Sequence, residues 1–139
     1  NVVGPEELRL SMALRLPLLA PEPKVAAIFG TKSGAKRIFQ AAQVNTPPGA
    51  HDIYDEKHFY SALAQLICTH LDVPRWVFKL DDETGGRGCA YFDVYAMPGY
   101  KVLLAEHDAD PEEWYDPAVQ VRVRQLVQEE LEAVVPDRA

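Results

Sequence analysis

Cysteine is scarce. Cys68 and Cys89 are the only two in 139 residues, and neither lies in a Cys-x-x-Cys pair or among histidines at zinc-finger spacing. A disulfide framework is therefore excluded, and both thiols sit in apolar stretches where cysteine acts as a small hydrophobe. Positive charge is also short: 14 Lys and Arg against 21 Asp and Glu leave −7. With no basic stripe interleaved with aromatics, nucleic acid is not an expected partner. No apolar run approaches the roughly 20 residues of a membrane-spanning helix, and nothing resembles a signal peptide, so no membrane partner is expected. What is present is 47% hydrophobic and 25% charged residues, the composition of a folded domain of ordinary size. The chain opens with Asn1 rather than Met, and Leu131 to Ala139 shows no domain closure. The reading expects a segment of a longer polypeptide in a reducing, cytoplasmic setting.

Gly4-Pro5-Glu6-Glu7 reads as a helix start, with Leu8 and Met12 following at helical spacing. Leu16-Pro17-Leu18-Leu19 suits a short buried strand, although Leu16 also fits the preceding helical spacing. Val25, Ile28 and Phe29 mark a short helix ending at Gly30. Ser33 to Gln43 is a further helix, with Ala35, Ile38, Phe39 and Ala42 on one face, stopped by Asn45-Thr46-Pro47-Pro48-Gly49. Asp55 is an N-cap for the strongest helix, on which Phe59, Leu63, Leu66, Ile67 and Leu71 recur at three- and four-residue steps. Arg75 to Leu80 and Cys89 to Val94 read as strands joined by a polar, glycine-rich loop, most simply an antiparallel pair. Tyr100 to Leu104 reads as either a strand or a helical turn. Asp108 to Asp116 reads as acidic and irregular. Pro117 to Val134 is helical, with Val119, Val123, Leu126, Val127, Leu131 and Val134 on one side.

Two features carry chemistry. Lys79 is followed by Asp81-Asp82-Glu83-Thr84-Gly85-Gly86-Arg87-Gly88. A lysine ending a strand can reach phosphate as a compact charge, and glycines let backbone N–H groups approach phosphate oxygens. Arg87 would add a forked donor. The plain alternative is a flexible hairpin tip. The second feature, Gly30-Thr31-Lys32-Ser33-Gly34-Ala35-Lys36, has the wrong spacing for a P-loop, and Arg37 stands where a magnesium-binding hydroxyl is required. Lys32 nevertheless lies at a helix N-terminus, where anions are favoured. An ordinary basic turn is the alternative.

Taken together, Gly30-Thr31-Lys32, the helix, and Val44-Asn45-Thr46-Pro47-Pro48-Gly49 resemble the entry segment of ATP-grasp enzymes, and Lys79 with its glycine loop matches that family's flexible phosphate-covering loop. Leu16-Pro17-Leu18-Leu19-Ala20-Pro21 and its short helix resemble the end of the preceding Rossmann-like pre-ATP-grasp subdomain. The resemblance implies an α/β (α+β) fold holding a partial ATP-grasp-like domain. It divides the chain into 1–49, the end of the pre-ATP-grasp subdomain; 50–96, the small subdomain with the glycine loop; and 97–139, an acidic segment and helix. It implies Lys32 and Lys79 as phosphate-facing lysines, Gly85, Gly86, Arg87 and Gly88 as the covering loop, and ATP with Mg as cofactor. Thr31 departs from the family's usual aspartate and Gln43 from its glycine. Asp81, Asp82 and Glu83 bring acids to the loop; each facing phosphate at ~4 Å, without metal, costs roughly 4 kcal/mol at an effective dielectric of about 20. The family's purine clamp and metal ligands lie downstream of this region.

Lys32 to Phe39, Pro47-Pro48-Gly49, Asp52-Ile53-Tyr54, and Trp76-Val77-Phe78-Lys79 with Gly85-Gly86 and Gly88 look like a degenerate branch of the family associated with sperm and cilia. That implies a ciliary or flagellar axoneme, with other protein subunits of the assembly as partners. The chain has no IQ motif, so calmodulin is a partner only through one elsewhere in a longer protein. Two readings stand: a noncatalytic docking module, and the nucleotide-binding half of an ATP-dependent carboxylate–amine ligase. Other candidates are weaker. His51, Asp52 and His58 lack metal-ligand spacing. His70 and His107 are isolated, and Ser33 and Ser61 have no visible base. Glu129, Glu130 and Glu132 read as a solvated helix face, and Trp76 and Trp114 as core or interface anchors.

Overall fold

The computed structural model describes residues 3–134, with side chains through residue 133. The elements run α1 (Pro5–Leu14), α2 (Pro23–Phe29), α3 (Lys32–Ala41), α4 (Glu56–Thr69), β1 (Arg75–Lys79), β2 (Cys89–Asp93), a 3-10 turn (Val94–Ala96), α5 (Tyr100–Ala109), α6 (Pro111–Trp114) and α7 (Pro117–Val134). The fold is mixed α+β, mostly helical, with one small sheet. It divides into two compact units: residues up to Pro47 together with Leu80–Gly85, and Pro48–Lys79 together with the residues from Gly86 onward.

In the first unit each helix start has its own device. The carboxylate of Glu7 accepts from the Gly4 N–H at 2.8 Å, and Pro5 fills the first helical position. That bond holds the Glu7 carboxyl below its usual pKa. Glu22 accepts from the Lys24 and Val25 N–H groups at the head of α2. Thr31 accepts from Gly34 N–H at 3.0 Å and caps α3. Gly34 is buried where α3 meets α2: a Cβ there would lie 2.4 Å from the Ile28 carbonyl oxygen and 2.7 Å from the Phe29 Cα. Only glycine permits that approach. After α3, Gln43 turns left-handed with φ 54°. That is the conformation a glycine takes without strain, and glycine is the residue the resemblance implies at this position.

Leu16 to Leu19 forms no strand. Leu16 is 60% and Leu19 97% exposed. A strand must hand its backbone groups to a neighbour, and among the described residues β1 and β2 pair only with each other. Pro17 removes a donor as well. Leu16 instead continues the close of α1, its N–H donating to Ser11 O at 3.1 Å.

The second unit holds every residue of the buried hydrophobic core. Asp55 accepts from His58 N–H at 2.8 Å and starts α4. Leu63, Ala64, Ile67 and Cys68 of α4 pack with Val123, Val127 and Leu131 of α7, with Trp76, Val94, Met97, Leu103 and Trp114 completing the cluster. The side chain of Val134 lies outside the described residues. β1 and β2 are antiparallel, with Arg75 opposite Asp93, Val77 opposite Tyr91 and Lys79 opposite Cys89.

Three long-range bonds fix the second half of this unit. The Trp114 indole donates to the Cys68 carbonyl at 2.9 Å, the Tyr100 hydroxyl to the Leu71 carbonyl at 2.9 Å, and Gly99 N–H to the Glu130 carboxylate at 3.0 Å. Of the two readings of Tyr100 to Leu104, the helical one holds: the segment opens α5, with Leu103 buried. The acidic stretch after it is more ordered than its composition suggests, because Asp110 accepts from Glu113 N–H at 3.0 Å and starts α6. Burial pushes the Cys68 thiol up to about pKa 12.

Candidate phosphate-facing site

The six candidate residues divide between the units. Lys32 and Gly85 belong to the first; Lys79, Gly86, Arg87 and Gly88 belong to the second. Each group has its own geometry.

In the first unit, the Lys32 ammonium donates to three carbonyls of the loop: Leu80 at 2.6 Å, Glu83 at 2.5 Å and Asp81 at 3.3 Å. An ammonium has three donors, so all are engaged within the chain. The first turn of α3 is engaged as well. Lys32 N–H donates to the Asp81 carbonyl at 3.2 Å and Ser33 N–H to the Asp81 carboxylate at 2.6 Å, while Gly34 N–H goes to Thr31. These are the backbone groups a helix offers an anion. Here a carboxylate from 48 residues away takes one of them. Of the three loop acids, Asp81 is thus turned onto α3. Gly85, with φ 66°, ends the segment in a left-handed turn with nothing near a would-be Cβ.

In the second unit, Lys79 closes β1 as an exposed side chain opposite Cys89. Gly86 and Gly88 adopt φ 78° and 64°, which requires glycine or a strained substitute. Arg87 between them is exposed. On the outer face of the same sheet lies a cluster that the sequence reading missed. Arg75 makes a two-pronged bond to Asp93, its guanidinium carbon lies 4.3 Å from the Tyr91 ring centroid, and the Tyr95 hydroxyl donates to Asp93 at 3.0 Å. The Arg75 hydrogen bond, chiefly, holds the Asp93 carboxyl below the usual range, and the pairing in turn raises the pKa of Arg75. The signal was available: residues 75 and 93 become direct cross-strand neighbours once the hairpin register is set.

The remaining candidates have structural places. His51 Nδ1 lies 2.9 Å from Asp52 Oδ2, and the Tyr54 hydroxyl donates to Asp52 at 3.2 Å. Among the described residues no group of three or more His, Cys, Asp or Glu side chains is placed to share a metal ion. Glu130 is partly buried and holds Gly99, and Glu132 accepts from Gln128 at 2.9 Å. Trp76 and Trp114 are core residues. No described helix is long and apolar enough to cross a membrane.

A family model described as "IQCH-like, ATP-grasp" matches residues 23–139. The match begins after the Leu16 to Pro21 segment. The chain is also 42% identical over 117 residues to the IQ motif-containing protein H of Danio rerio, an alignment covering 82% of this chain and 11% of that protein. It thus spans a small fraction of that relative's length. No solved structure matches the chain.

Proposed function

The chain belongs to the IQCH-like ATP-grasp family, and on that premise we propose that it is a degenerate, noncatalytic module serving a larger protein as a structural docking component in a cilium or flagellum axoneme. Its partners in this reading are other protein subunits of that assembly. The axonemal setting follows from the resemblance of Lys32 to Phe39 and Trp76 to Lys79 to a branch associated with sperm and cilia. One observation supports the noncatalytic part: Lys32 and the first turn of α3 are occupied by the chain's own loop.

The residues as arranged do not fit Mg·ATP. A phosphate approaching α3 meets the Asp81 carboxylate bonded to Ser33, and two such charges ~4 Å apart at an effective dielectric of about 20 repel by roughly 4 kcal/mol. An approaching phosphate must also compete with three carbonyls for Lys32.

The second reading is the nucleotide-binding half of an ATP-dependent carboxylate–amine ligase. What favours it is the exposed Lys79 followed by the left-handed glycines Gly86 and Gly88. Calorimetric titration of the full-length protein with Mg·ATP separates the two. The docking reading expects no saturable heat at millimolar nucleotide, together with normal assembly of a Lys79→Ala variant. Saturable binding in the wild type would sink it in favour of the second.

A further inference from the structure

The misfit between the site and a nucleotide has a specific origin. A helix N-cap normally comes from the residue just before the helix, and Thr31 already fills that role for α3 by accepting from Gly34. Asp81 adds a second acceptor from 48 residues away, on Ser33 N–H at 2.6 Å. Lys32, in the same helical turn, returns three bonds to the segment that carries Asp81. Lys32 N–H adds a backbone bond to the Asp81 carbonyl. The exchange is reciprocal: a carboxylate goes to the helix and an ammonium goes to the loop. Gly85, left-handed with open space around its Cα, ends the segment where the chain leaves the unit.

We propose that Leu80–Gly85 is an internal strap in which Asp81 serves as a built-in counter-anion of α3, an autoinhibitory contact that withholds Lys32 and Ser33 N–H from phosphate. The device rests on the family reading of Lys32 as a phosphate-facing lysine. It turns on charge as well as shape. Replacing Asp81 with asparagine keeps an oxygen for Ser33 N–H but removes the repulsion toward an incoming anion. Replacing it with alanine removes both.

The test uses full-length protein, with inorganic pyrophosphate and Mg·ATP as separate probes in calorimetry, and hydrogen exchange over residues 31–35 as a second readout. Wild type is expected to bind neither probe at millimolar concentration. Asp81→Ala and Asp81→Asn are expected to gain pyrophosphate affinity by at least about tenfold, and a further Lys32→Met change is expected to abolish the gain. The Ser33 amide is expected to exchange faster in Asp81→Ala than in wild type. Should Asp81→Ala not fold, Asp81→Asn decides the matter. Unchanged affinity in the folded variants overturns the strap, as does a gain that survives Lys32→Met. Wild-type binding that tightens in Asp81→Asn overturns the noncatalytic reading and leaves the strap standing. Wild-type binding that Asp81→Asn leaves unaltered overturns both.

Discussion

Replacing Trp114 with phenylalanine removes the indole N–H that donates to the Cys68 carbonyl at 2.9 Å inside the core of the second unit. Cys68 lies in the last turn of α4, where carbonyls have no intrahelical donor. Losing the bond and leaving the carbonyl buried costs about 1–3 kcal/mol. The smaller ring leaves roughly 40 Å³ of space, worth about 1 kcal/mol at ~24 cal/mol per Å³. The sum is about 2–4 kcal/mol, a large share of the ~5–15 kcal/mol that stabilises a domain. Trp76 provides the control. It is also in the core, at 7% exposure, but its indole N–H is buried without an acceptor. Trp76→Phe creates the same ~1 kcal/mol of space and removes an orphaned donor whose burial costs about 1–3 kcal/mol, so it is expected to be neutral or stabilising. Urea denaturation followed by circular dichroism measures both. With slopes of about 1–3 kcal/mol per molar, Trp114→Phe is expected to lower the midpoint by on the order of 1–2 M, with Trp76→Phe unmoved or raised. Equal losses in the two variants would refute the argument that one hydrogen bond separates them.

Three further outcomes are expected. Gly34→Ala places a Cβ against the backbone of Ile28 and Phe29; α2 and α3 must separate, at about 1–3 kcal/mol or more, and limited proteolysis is expected to cut the α2–α3 region faster than in wild type. Asp93 has a folded pKa below its unfolded value near 4, so its pairing with Arg75 stabilises the protein above that value, and the contribution is lost as pH falls through the depressed folded pKa. Arg75→Met is expected to flatten this part of an acid-denaturation curve and leave its neutral-pH slope alone. With Cys68 buried and its thiol raised to about pKa 12, a thiol reagent near pH 8 is expected to label Cys89 alone in the native protein and both cysteines in denaturant.

Much of the second unit was legible because its signals are local. The steps from Phe59 to Leu71 define α4 without reference to anything else, and the two strands flank a loop whose glycines do adopt positive φ. Leu16 to Leu19 failed because a short apolar run does not reveal whether a neighbouring strand exists to receive it. Tyr100 to Leu104 stayed open because α5 is settled from a distance, by Glu130 holding Gly99 and by Leu71 receiving the Tyr100 hydroxyl. The site divides in the same way. Lys32, Lys79 and the glycines could be named as candidates from residue type and spacing. The contact of Asp81 with α3 could not, because three consecutive acids in a loop look alike until the fold sets one of them against residue 33. Thr31 and Gln43 teach the complementary lesson. Thr31, where the resemblance implies an aspartate, caps α3, and Gln43, where it implies a glycine, takes the left-handed turn. A carboxylate bonded to Ser33 N–H and a lysine bonded to three carbonyls give these groups of α3 partners within the chain itself, and no spacing rule in the sequence joins residue 33 to residue 81.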